Sequence, residues 1–233
     1  MSVYGDIQTQ VQQSIGNRHD SDTNTIILTS FNHVQKMLAR SGDFPELEVV
    51  ATPTLVSGTS DYTASTLGLE RFRPPHIYRW TLLASGEYRP IEFYTANAWE
   101  EKVVPMLTTS PTGKPTIFTY YAKTFSLYPT PDSAYPTRIR YKQYPAPATT
   151  TSSVIQYDDA DEVLWMLTTA YTFASIEDFE SSKNWFMLAK PVMQEMGLSL
   201  MDVPNFKSST SISNNEGGPS GEWWKDPFVK ESP

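Results

Sequence analysis

Phe125-Ser126-Leu127-Tyr128-Pro129-Thr130-Pro131-Asp132-Ser133-Ala134-Tyr135-Pro136-Thr137-Arg138-Ile139-Arg140-Tyr141 alternates apolar and polar residues on both sides of a proline-rich centre. Side chains alternate across a strand with period two. Phe125 and Leu127 therefore share one side of an incoming strand, and Ile139 and Tyr141 share one side of an outgoing one. Pro129 and Pro131 have no N–H to give a ladder and cannot continue a helix, so the chain must leave the sheet between them. Asp132-Ser133 supplies side-chain acceptors that favour turning. The spacing predicts a β-hairpin closed by a Pro-rich turn, with nothing chemically reactive in it.

Upstream the same period holds from about Glu46 to Pro145. Strands are predicted at Leu47–Ala51, Ile77–Leu83, Tyr88–Tyr94, Ile117–Ala122, Phe125–Tyr128 and Thr137–Tyr144, with Ser85-Gly86-Glu87 as a tight turn. Thr95 to Leu107 reads as a short helical excursion around Trp99, Val103 and Leu107. Many of the 18 prolines fall at strand ends and loops of this region, where they blunt edges. The expectation is an antiparallel β-sandwich or barrel of about 100 residues.

Helical periodicity flanks that region on both sides. Tyr4, Ile7, Val11 and Ile15 form one stripe, with Ser2 as the expected cap and Gly16 at the left-handed position beyond the end. After the polar run 17–22, Ile27, Phe31, Val34 and Leu38 form a second stripe, with Asp22 or Thr23 as cap and Gly42 as the stop. On the far side, Asp159 with Glu162 resembles a capping box. It opens a face of Val163, Met166, Leu167, Ala170 and Ala174. The stripe resumes at Phe186, Ala189, Met193 and Met196. Two antiparallel helices turning near Glu177–Ser182 are expected, one long helix being the alternative, with Pro191 a kink or frayed end. Helices this short need partners. The fold expected is α+β: a helical bundle from the N- and C-terminal helices (1–45 and 158–203), an inserted antiparallel β domain (46–157), and an extended C-terminal tail (204–233).

The chain has 233 residues, 39% of them hydrophobic, which supports a sizeable core. A formal net charge of −8 repels phosphate and argues against tight nucleic-acid binding, although a passive acidic surface beside DNA fits it. With no cysteine there are no disulfides, Cys-ligated metals or thiol nucleophiles, a usage suited to a reducing cytosol. No secretory signal is visible at Met1-Ser2-Val3-Tyr4, and no run approaches the ~18 apolar residues that span a bilayer. A cytoplasmic, membrane-free protein is expected.

Residues 205–220 are rich in Ser, Asn and Gly, a composition of chain that stays disordered alone. They lead into Glu222-Trp223-Trp224-Lys225-Asp226-Pro227-Phe228-Val229. These aromatics either fold back on their own domain or serve as a linear anchor for another subunit. The anchor reading makes Trp223, Trp224, Pro227 and Phe228 the partner-binding residues.

Chemistry is sparse. His19, His33 and His76 have no metal-ligand spacing, and no Cys can complete a site. Gly113-Lys114-Pro115-Thr116 lacks the upstream glycine of a phosphate loop, and Pro115 removes a cradle donor, so a turn before a strand is the better account. Asp158, Asp159 and Asp161 lack the Gly and Glu of an EF-hand, and helix N-termini favour carboxylates anyway. No motif selects a carboxylate pair for glycoside hydrolysis. No catalytic residue, metal or cofactor is expected. The abundant Tyr fits core and interface better than a sugar platform.

With this layout the sequence resembles the tailed-bacteriophage head–tail adaptors, or connector proteins, over most of residues 1–196. The resemblance rests on the N-terminal helix pair, on Gly113-Lys114-Pro115-Thr116-Ile117-Phe118 leading into Phe125-Ser126-Leu127-Tyr128-Pro129-Thr130-Pro131-Asp132, on Arg138-Ile139-Arg140-Tyr141 with Pro145, and on Asp158-Asp159-Ala160-Asp161. Thr63-Ala64-Ser65-Thr66 departs from it where such adaptors often have Leu-Pro, and the aromatic tail maps onto no shared motif. The resemblance implies a structural virion protein in the neck between capsid and tail, assembled in the host cytoplasm. It implies a homo-oligomeric ring, a dodecamer, bound to the portal protein by its C-terminal segment and to tail or nozzle proteins below. DNA passes through without specific binding. The alternative is a β-sandwich that binds carbohydrate or a receptor as a tail or baseplate component.

Overall fold

The computed structural model describes residues 2–84, 87–109 and 111–197, a mixed α+β unit. Helix α1 (Tyr4–Ser14) and helix α2 (Ser21–Ser41) form where the stripes predict them. Ile7, Val11, Ile27, Phe31, Val34 and Leu38 are all buried. Tyr4 packs on Phe31 with ring centroids 4.9 Å apart, and Asn24 Oδ1 accepts from the side-chain amides of Gln8 and Gln12 at 3.0 and 2.7 Å. Gly16 takes the left-handed conformation (φ 86°) that closes α1. The caps differ from expectation. Val3 occupies the first cap, and the Ser2 hydroxyl instead donates to Asp161 across the fold. Asp20, not Asp22 or Thr23, caps α2, accepting from the Thr23 N–H at 2.8 Å, and this bond lowers its carboxyl pKa.

The strands follow: β1 (Glu48–Ala51), β2 (Thr54–Leu55), β3 (Asp61–Thr63), β4 (Phe72–Ala84) and β5 (Glu87–Phe93). After helix α3 (Ala96–Lys102), capped by Thr95, come β6 (Thr112–Gly113), β7 (Ile117–Tyr121), β8 (Thr124–Tyr128), β9 (Thr130–Pro131) and β10 (Tyr135–Gln143). The main sheet has the order β1-β10-β4-β5-β7-β8-β3, with β2 also on β10, and it curls into a half-barrel. Its inner face carries one core of Leu55, Leu82, Trp80, Phe118, Phe125, Leu127 and Ile139. Most pairs are antiparallel, but β5 and β7 run parallel, as do β6 and β9. A purely antiparallel sandwich is therefore corrected to a mixed, curled sheet. The α3 excursion lets β7 return in the same direction as β5. Strand β4 begins at Phe72, five residues before its predicted start. Pro74 is accommodated where the pairing to β10 slips between Tyr141 and Gln143, because a bulge asks no ladder donor of proline. The expected turn at Ser85-Gly86 lies outside the described residues.

Phe125–Tyr141 is not a hairpin. Strand β8 pairs with β7 and β3, whereas β10 pairs with β1, β2 and β4, and three strands (β4, β5 and β7) separate β8 from β10. The alternation is nonetheless real: Phe125, Leu127, Ile139 and Tyr141 are all buried. Because the sheet curls, its two arms send these side chains into one core. Phe72 touches both Phe125 and Tyr141, at 5.4 and 6.0 Å between centroids. A shared core produces the same pattern as direct pairing.

Two further helices close the chain, α4 (Asp161–Ser175) and α5 (Phe179–Glu195), so the C-terminal region is a helix pair. Ala160 stands at the α4 cap with no side-chain bond, so the expected Asp159 capping box is absent; Asp159 lies in the left-handed region instead (φ 56°). Helix α4 is buried on nearly every side through Val163, Leu164, Leu167, Thr168 and Ala170, as befits a helix that contacts α1, α2 and α5. Trp165 meets Trp185 and Tyr171 meets Phe186 edge to face. Gly5 of α1 faces the backbone of Thr151, where an added Cβ would stand 2.9 Å from the carbonyl oxygen, so no other residue fits without a shift.

The helices are fastened to the sheet at one buried polar joint. Arg73 of β4 donates to the carbonyls of Ala39 and Arg40, the latter at 2.9 Å, at the end of α2. Lys142 of β10, almost fully buried, pairs with Asp43 just beyond. The Tyr157 hydroxyl donates to the Gln35 carbonyl at 2.5 Å, and its ring stacks edge-on against Phe44. A cation at a helix C-terminus satisfies orphan carbonyls and opposes the negative dipole end. Replacing Arg73 with Ala removes charge-assisted bonds from a buried site, and we expect a loss of about 2–3 kcal/mol in urea unfolding. A change within about 0.5 kcal/mol contradicts this role for the joint.

Candidate functional site

The two sequence segments that carry the adaptor resemblance meet in space. Thr112 and Gly113 of β6 pair with Thr130 and Pro131 of β9. The Thr116 N–H donates to the Tyr128 carbonyl at 2.9 Å and the Thr130 N–H to that of Pro111 at 3.1 Å. A third segment joins them: the Gly58 N–H donates to the Pro131 carbonyl at 2.7 Å, and Ser57 Oγ to that of Asp132 at 2.9 Å. The Asp132 carboxylate accepts from the Tyr135 hydroxyl at 2.5 Å, and this bond raises the Tyr135 pKa. Gly113-Lys114-Pro115-Thr116 is thus a turn between β6 and β7, and Pro129 to Asp132 fastens three loops at one end of the half-barrel. The junction is built of backbone hydrogen bonds and prolines, which fix geometry and leave no nucleophile beside a base.

Among the described residues the titratable groups form no catalytic constellation. His19 is exposed in the link before α2, and His33 lies edge-on to the Tyr171 ring at 4.8 Å. Asp161 receives the Ser2 hydroxyl, while Asp158 and Asp159 precede α4. Among the described residues no group of three or more His, Asp or Glu could hold a metal ion. The strongest perturbations are structural. Burial raises the Tyr4 hydroxyl to about 12 and pushes Tyr157 still higher, and burial lowers the Lys142 ammonium beside Asp43. No helix of the described residues is long and apolar enough to cross a membrane.

The surface instead offers packing faces. Helix α5 exposes Phe179, Met187 and Leu188, and the turn after α3 exposes Val104, Met106 and Leu107. Strands β1 and β3 end the main sheet, each with one strand neighbour. Exposed apolar side chains and open sheet edges are the features that partners cover. The α5 face was legible as residues outside the Phe186, Ala189, Met193 stripe. Arg73 and Lys142 carried no motif and were missed, though two cations inside an apolar alternation were a signal. The expected partner-binding residues Trp223, Trp224, Pro227 and Phe228 lie outside the described residues.

The described residues thus combine a curled sheet, a helix set with exposed apolar faces and a motif junction of prolines and backbone hydrogen bonds. The chain belongs to the SU10 adaptor protein family, whose match covers residues 3–205, and it is thereby a bacteriophage adaptor, a structural phage protein. A search of curated proteins gave no match. The family match stops short of Trp223.

The tyrosine environments set an alkaline limit. Tyr4 keeps its proton in the folded chain to about pH 12, whereas an unfolded tyrosine releases it near 10.0. Between those values the unfolded state binds fewer protons, so stability falls as pH rises through that window. Absorbance near 295 nm is expected to show exposed tyrosines titrating first, with Tyr4 and Tyr157 ionising only on unfolding. A single transition near pH 10 with the fold intact contradicts the burial of these hydroxyls.

Proposed function

We propose that the chain is one subunit of an adaptor ring between the portal and the tail of a tailed bacteriophage, continuing the DNA channel through the neck of the virion. Family membership over 3–205 carries this reading, because it covers every helix and strand described. In it, residues 1–45 and 158–203 form a helical bundle that acts as a collar, and 46–157 form the β domain facing the tail or nozzle proteins. The exposed apolar face of α5 and the open edges at β1 and β3 are surfaces for ring neighbours and partners. A net charge of −8 suits a channel that lets DNA slide without sticking.

Residues 204–233 are the portal-gripping segment in this reading, with Trp223, Trp224, Pro227 and Phe228 as anchors. Aromatic anchors dominate interface energy, each worth on the order of 2 kcal/mol when central. Full-length protein is expected to cosediment with portal as a dodecamer. Protein ending at residue 203 is expected to keep its circular-dichroism spectrum and bind portal at least about tenfold more weakly. Equal docking of the shortened chain contradicts the anchor, and absence of any portal binding by the full chain contradicts the adaptor assignment.

A further inference from the structure

The outer face of the half-barrel carries two patches of opposite charge. On the first, the register sets Arg140 of β10 opposite Arg79 of β4 and Arg138 opposite Thr81, so three guanidinium side chains share one face. Glu48 holds Arg140 at 2.9 Å. Arg79 and Arg138 are exposed and have no ion-pair or hydrogen-bond partner among the described residues. With Thr81, Leu83 and Tyr88 they line a depression of about 250 Å³, and Tyr88 is 77% exposed. Neighbouring like charges on a sheet repel. A chain of net charge −8 that keeps two adjacent uncompensated arginines beside a bare tyrosine ring has the composition of an interface, not of a solvated face.

The second patch lies on the other arm. Helix α3, β7 and β8 enclose a groove of about 530 Å³ that has Trp99 in its wall, carries Asp61 and Glu100, and is flanked by Tyr121, 70% exposed. Ser126 Oγ donates to Asp61 at 2.6 Å and fixes that carboxylate, while Glu100 is exposed on α3. The basic patch spans β10, β4 and β5, and the acidic one β7, β8 and β3. Both lie on the side of the sheet opposite its core, on separate sets of strands. Two complementary surfaces on separate strands of one chain make a head-to-tail contact, which closes into a ring when the rotation permits.

We propose that the basic depression of one copy, Arg79 and Arg138 beside Tyr88, receives the acidic rim, Asp61 and Glu100 beside Tyr121, of the next copy. This contact rests on the ring reading and gives it a side-chain basis. Each arginine meets a carboxylate with bidentate geometry available, and the tyrosines cover the pairs from water.

Charge exchange on the full-length chain tests it by sedimentation at low salt. R79E/R138E alone and D61K/E100K alone should each associate about tenfold more weakly or worse than the unaltered protein. An equimolar mixture should recover association, since every contact in an alternating ring is again between opposite charges. R79K/R138K should assemble. Thermal melts check each fold, and R138E with E100K replace the double variants if either melts early. Unchanged association of both variants overturns the contact, as does failure of the mixture to recover. Normal assembly of R79E/R138E with lost retention of a labelled DNA duplex overturns it in favour of a phosphate-binding face. An unaltered chain that stays monomeric alone and with portal overturns the ring itself, a separate result.

Discussion

A buried guanidinium at the end of α2 is the constraint on which the architecture depends. Arg73 leaves the sheet at an irregular stretch of β4, where proline and a slipped register free it from regular pairing, and enters the C-terminal carbonyls of α2. A cation removed from water is costly, and the carbonyl dipoles of the helix end offset that cost. Lys142 with Asp43 and Tyr157 with the Gln35 carbonyl lie at the same joint. These contacts tie the helices to the half-barrel. The chain from Tyr144 to Ala160 completes the joint. Asn32 exchanges hydrogen bonds with the Ala148 backbone at 2.8 and 3.0 Å, and the Ser2 carbonyl accepts from the Ile155 N–H at 3.0 Å.

Periodicity made the element types legible. The stripes Tyr4, Ile7, Val11 and Ile27, Phe31, Val34, Leu38 are the buried faces of α1 and α2, and the alternation in Phe125–Leu127 and Ile139–Tyr141 names core residues correctly. Pairing was not legible. Alternation tells which side of a strand is buried and says nothing about its neighbour. A curled sheet folds distant strands onto the same core, so Phe125 and Ile139 looked like hairpin partners. Caps failed for a related reason. Ser2 had two possible acceptors, and Asp161, far away in sequence, is the one it meets.

The functional surface was legible only in part. The Gly113–Thr116 and Tyr128–Asp132 segments marked the family, and they join in one loop junction, which explains why neither carries chemistry. Of the charged residues facing outward on strands, Arg79 stands in no motif, and Arg138 stands in Arg138-Ile139-Arg140-Tyr141, a motif that does not tell what it faces. Their meaning comes from standing side by side, and the register that brings them together is tertiary. In the proposed ring, the apolar face of α5, the open strand edges and the opposite charges would all be used against another chain.

In the proposed function this chain works as a ring in the neck of a virion. The most direct measurement of that ring is an averaged end-on projection of full-length protein bound to purified portal. A closed dodecameric ring around an open channel, coaxial with the portal, is expected. Isolated particles of single-chain mass, with the portal bare, would contradict it.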